Sequence, residues 1–63
     1  MQKLKHLREL NGLTQAKLAE KVNMTQSQIC KIENGERYLK AKEAFLFAHV
    51  LGVSVSDLLS DVD

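Results

Sequence analysis

Apolar residues recur along the 63-residue chain at helical spacing, broken by short polar stops. Leu4, Leu7 and Leu10 place a first helix from about Gln2 to Asn11, ended by Gly12, with Leu4 and Leu7 facing the core and Leu13 just past the stop. Leu18 and Val22 mark a second helix, about Gln15 to Val22, and Ile29 and Ile32 a third, about Gln26 to Asn34. Thr14 and Thr25 stand where a side-chain oxygen caps a helix start, and Thr25 with Gln28 forms a T-x-x-Q capping box. Between these two helices lies Asn23, the residue after glycine best able to adopt a left-handed backbone. A fourth helix is expected from about Ala41 to Leu51, closed by Gly52, with Ala41, Ala44, Phe45, Ala48 and Leu51 as its core face. Ser54 then caps a short fifth helix carrying Val55, Leu58 and Leu59. The pattern predicts an all-α fold.

At about 100° per residue, Ile29 and Ile32 fall on one side of the third helix, with Gln26, Ser27, Cys30, Lys31 and Asn34 opposite. One face is core and the other small, polar and available. The stretch TQAKLAEKVNMTQSQICKIENG, Thr14 to Gly35, resembles the helix-turn-helix of the Cro/CI (Xre-like) phage-repressor family in its T-Q-x-x-L-A start, T-Q-S-Q-I second helix and I-E-N-G close. The likeness extends over nearly the whole chain. It implies a compact five-helix lambda-repressor-like DNA-binding domain over residues 1–63, acting as a sequence-specific transcriptional regulator, a repressor, on an operator in double-stranded DNA. It also implies that Arg8 pairs with the glutamate of the E-N-G motif, Glu33, and that Ala19 is small so that the next helix can cross closely. Gln15, by the same likeness, bridges a backbone phosphate and the side chain of Gln26. Many family members carry proline where this chain has Leu39, which leaves the loop after the third helix less rigid or its next helix differently started.

Base edges in the major groove are read by paired donors and acceptors, and a glutamine can meet adenine bidentately. Gln26, in the first turn of the third helix, is the leading candidate, with Ser27 and Lys31 next on the same face. Gln28 is either a base contact or a residue whose side chain is spent on the cap. Gln15, Thr25, Asn34, Arg37 and Lys40 are the candidate phosphate contacts, aided by the backbone N–H groups at the two helix starts. Tyr38 either offers its hydroxyl to a phosphate or packs on the domain.

Net charge is only +1, but its distribution changes the picture. Residues 1–42 hold all nine Lys and Arg against four Glu, a net of +5, whereas residues 43–63 hold four carboxylates and no Lys or Arg, a net of −4. The basic part contains the two-helix unit, as expected if that surface meets phosphates. Leu46, Phe47 and Val50 lie off the expected core face of the fourth helix, and with Leu58, Leu59 and Val62 they outline a homodimer surface. The alternatives are that the last helix folds back over the fourth within one monomer, or that a missing part of a longer protein covers it.

So short a chain holds one domain. Its single cysteine excludes an internal disulfide, and with no C-x-x-C pair, no metal or other cofactor is expected. Cys30 is either oxidisable or simply a small residue that permits close approach to DNA, and His6 and His49 have no metal-ligand spacing with it. The longest apolar run, Ala44 to Ala48, is too short for a membrane span, so a soluble cytoplasmic protein is expected. No nucleophile–base constellation, paired carboxylates or glycine-rich phosphate loop supports an enzyme. The other class in play is a protein-interaction module, such as an antitoxin or a DNA-binding fragment of a larger regulator.

Overall fold

The computed structural model describes residues 1–60, which form five helices: α1 (Gln2–Leu10), α2 (Gln15–Lys21), α3 (Gln26–Glu33), α4 (Ala41–Leu51) and α5 (Val55–Leu59). The starts follow the capping logic. Thr14 Oγ1 accepts the Lys17 N–H at 3.0 Å and Ser54 Oγ accepts that of Asp57 at 2.9 Å. At α3 the box is reciprocal, with Thr25 Oγ1 accepting from Gln28 N–H (3.2 Å) and Gln28 Oε1 accepting from Thr25 N–H (3.0 Å). Helix α4 starts differently: Lys40 has no side-chain acceptor, and only the returning half is made, Glu43 Oε1 taking the Lys40 N–H at 2.9 Å.

The stops share one device. After α2 the chain turns through Asn23 (φ 57°), letting Met24 N–H reach back to Ala19 C=O at 2.9 Å. After α3 Gly35 does the same (φ 79°), and Glu36 N–H reaches Lys31 C=O at 2.8 Å. Equivalent bonds close α1 (Leu13 to Arg8) and α4 (Val53 to Ala48). Because each stop is local, four helices end within a residue or two of where the pattern placed them.

Leu4, Leu18, Ile29, Ile32, Phe47 and Leu58 are fully buried, joined by Leu7, Ala19, Val22, Ala44, Ala48 and Leu51. Helix α2 packs on α3, while α1 lies against both α3 and α5, and α4 is closed over by α5. The α-amino group of Met1 donates to the carbonyls of Ile32 (2.8 Å) and Glu33 (2.9 Å), setting a positive charge at the C-terminus of α3, the favourable end for one.

The face of α4 differs from the sequence expectation. Phe47 is buried in the core and Phe45 is 66% exposed, with Ala41 exposed as well. The core stripe is Ala44, Phe47, Ala48 and Leu51, spaced i, i+3, i+4, i+7, so Ala44, Ala48 and Leu51 face inward as expected while Phe47 replaces Ala41 and Phe45 and the buried face is rotated by about 50°. The other half of the difference is α5, which packs on α4 and buries Leu58 in the same core as Phe47. Phe47 and Leu58 are therefore core residues and leave the expected dimer surface. Val50 is half-buried against the core, Leu46 and Leu59 remain exposed, and Val62 lies outside the described residues. Leu13 is half-buried at the core margin, and Leu10 is exposed.

Candidate nucleic-acid interface

Helix α3 is anchored from behind and open in front. Ile29 and Ile32 are wholly buried, whereas Gln26, Ser27, Lys31 and Asn34 are exposed and Gln28 and Cys30 half-exposed. A helix fixed this way cannot rotate without unburying two isoleucines, so its polar face is held as a rigid strip. Gln28 spends its carbonyl on the cap and keeps only amide N–H groups for another partner; Thr25 keeps its hydroxyl proton.

The anchor extends to a buried ion pair. Arg8 Nε donates to Glu33 Oε2 at 2.7 Å and Nη2 to Glu33 Oε1 at 3.3 Å, while Nη1 donates to the Leu13 carbonyl at 2.7 Å. The Arg8 side chain is 10% exposed and that of Glu33 2%. The Glu33 carboxylate holds the Arg8 guanidinium above its ordinary pKa. No buried side-chain N or O among the described residues lacks a hydrogen-bond partner. The pairing of Arg8 with Glu33 is therefore as the family likeness implied, and it ties α1 to α3.

Two expected phosphate contacts are otherwise engaged. Gln15 Nε2 donates to Glu33 Oε1 at 3.0 Å, so its amide meets the ion pair and not Gln26. Arg37 forms a two-pronged contact with Glu43, Nη1 to Oε1 at 3.0 Å and Nη2 to Oε2 at 2.8 Å. The guanidinium holds the Glu43 carboxyl below its ordinary pKa, and Glu43 in turn raises that of Arg37. Arg37 thus braces the loop between α3 and α4. Sequence reasoning missed Glu43, although it sits three residues after Lys40, the place a capping glutamate takes. Among the described residues, Asn34 Nδ2 makes only long contacts, to Cys30 Sγ at 3.4 Å and Glu36 Oε2 at 3.5 Å. Among the described residues neither Lys31 nor Lys40 enters an ion pair, so both ammonium groups face solvent.

Tyr38 is 92% exposed. Among the described residues no cluster of His, Cys, Asp or Glu can hold a metal ion, and no helix is long and apolar enough to cross a membrane. His6 and His49 are exposed. What the site offers is a strip of amide, hydroxyl and ammonium groups beside two helix N-termini, which suits hydrogen bonding to base edges and phosphates.

Comparison with known proteins agrees with this geometry. A helix-turn-helix family model matches residues 4–58. An uncharacterized HTH-type transcriptional regulator of Methanocaldococcus jannaschii is 39% identical over 56 residues, 89% of this chain and 85% of that protein. Among solved structures, a chain of a SinR protein/SinI protein complex superposes with a TM-score of 0.84 at 30% identity, over 95% of this chain. The chain spans 59% of the length of that solved chain. The matched residues enclose the two helices, their turn and the buried ion pair, and the chain belongs to the Cro/CI (Xre-like) helix-turn-helix family of DNA-binding transcriptional regulators.

Proposed function

We propose that the protein is a cytoplasmic repressor that reads a palindromic operator as a homodimer, with α3 in the major groove. The observation that carries the reading is the exposed row Gln26, Ser27 and Lys31 on a helix whose opposite side is locked into the core. Gln26, in the first turn, is the adenine-reading group, and Lys31 suits guanine or a phosphate. Lys40, Asn34, the Thr25 hydroxyl and the second amide N–H of Gln15 grip the strand. Arg37 holds the loop that presents Lys40. The dimer contact is assigned to Leu46 and Leu59 with Phe45 added, since these large apolar side chains are exposed at 41%, 52% and 66%.

Gln26→Ala tests the reading on duplexes that the wild type prefers. It should erase discrimination worth about 1–3 kcal/mol at one base pair per half-site, with non-specific affinity unchanged. Equal loss on every duplex would remove Gln26 from the reading face. A second reading, a module whose apolar patch docks another protein, rests on the same Phe45, Leu46 and Leu59. The solved relative is itself in a complex with a second protein. Sedimentation of the free chain separates the two: a concentration-dependent dimer supports the first, and a monomer at high concentration the second.

A further inference from the structure

Glu33 has more hydrogen bonds than an ion pair needs. Its Oε1 accepts from both Arg8 Nη2 and Gln15 Nε2, so one buried carboxylate joins α1, α3 and the first residue of α2. A carboxylate only accepts, so the NH₂ side of the Gln15 amide must face it, and the amide oxygen takes the opposite side. That choice is fixed by chemistry, because the flipped amide would set oxygen against oxygen. Glu33 is itself held by Arg8, which is anchored in turn on the Leu13 carbonyl one residue before the α2 cap.

We propose that Glu33 is a positioning residue for DNA binding: it holds the half-buried Gln15 carboxamide in one orientation at the start of α2, with its oxygen and one N–H left for the nucleic acid. This rests on the DNA-reading assignment above. The physical consequence is preorganisation. A free surface glutamine loses rotamer entropy when it grips a phosphate, whereas Gln15 has lost it on folding. The fixed polarity also decides what it can meet, since the remaining N–H suits a phosphate oxygen and the outward carbonyl suits a donor. A glutamine at this position is thereby coupled to an ion pair that looks purely structural.

The test is a double-mutant cycle on the full chain, with Gln15→Ala and Glu33→Gln made singly and together. Affinity is measured for a duplex enriched by the wild type and for a scrambled one, under conditions where circular dichroism shows each variant folded. In Glu33→Gln, the oxygen that keeps the 2.7 Å contact with Arg8 Nε leaves an NH₂ facing the Gln15 amide, which then loses its acceptor. Each single variant should bind the enriched duplex about tenfold more weakly, and the double variant no more weakly than Gln15→Ala alone. Losses that multiply would overturn the proposal, because a merely structural Glu33 costs the same whatever stands at position 15. If Glu33→Gln does not fold, side-chain ¹⁵N relaxation of the wild type decides. A Gln15 amide as rigid as the backbone supports the proposal, and one as mobile as that of exposed Gln2 overturns it. A wild type that does not distinguish the two duplexes would overturn the DNA-reading assignment itself, whereas an additive cycle on a discriminating wild type overturns the positioning role alone.

Discussion

Arg8 and Glu33 lie 25 positions apart in sequence and meet at 2.7 Å with almost no water around them. Desolvating two charges is costly, and what makes the pair tolerable is that every donor of the guanidinium side facing the protein finds an acceptor. Removing one member strands the other. Arg8→Met should therefore cost roughly 3–5 kcal/mol, seen as a lower urea midpoint, whereas an unchanged midpoint would mean the pair contributes nothing. The Arg37–Glu43 contact makes a different prediction, about pH. Glu43 binds its proton less readily in the folded chain than in the unfolded one, so unfolding takes up protons as pH falls. The stability it contributes is complete above its ordinary pKa of 4.5 and is lost as pH falls through the lower folded value. The difference in melting temperature between wild type and Glu43→Gln should accordingly narrow on acidification below pH 4.5. A constant difference down to acid pH would contradict the brace.

Helix α4 is apolar over most of its circumference, and its neighbours decide which part is core. Phe47 is fully buried and Phe45 is 66% exposed, so equal chemical substitutions should have unequal effects. Phe47→Ala should cost about 3–5 kcal/mol and Phe45→Ala about 0.5 kcal/mol or less, read from thermal unfolding of the two variants. This contrast marks where the sequence was legible. Caps at Thr14, Thr25 and Ser54 and stops such as Asn23 and Gly35 act through bonds within a few residues, so residue type and spacing reveal them directly. The α3 faces were legible for the same reason, being set by Ile29 and Ile32 alone. The α4 face depends on α5 folding back with Leu58, and the engagement of Gln15 by Glu33 is a contact across 18 positions. Neither is encoded in any local window. Arg37 is intermediate: Glu43 is only six residues away, but a basic loop beside a helix expected to read DNA makes phosphate the more obvious partner.

At the scale of the molecule, charge is divided unevenly along the chain. The half with net +5 carries α1, α2, α3 and the loop to α4, and the remainder with net −4 carries most of α4 and α5, where Phe45, Leu46 and Leu59 are exposed. Under the proposed reading, this division turns the basic part toward a polyanion and leaves Phe45, Leu46 and Leu59 for a second copy. Lys40→Ala should weaken binding to all duplexes alike and lower the salt slope by about 1, measured by titrations at several salt concentrations. A loss confined to one sequence would assign Lys40 to base reading. The most direct measurement is a selection by the purified chain from a pool of random duplex DNA. The expected outcome is an enriched inverted repeat whose half-sites are centred about one helical turn apart, each with a fixed adenine opposite Gln26. A pool left as random after selection as before would contradict sequence reading by α3, and a lone half-site without its inverted partner would contradict the homodimer.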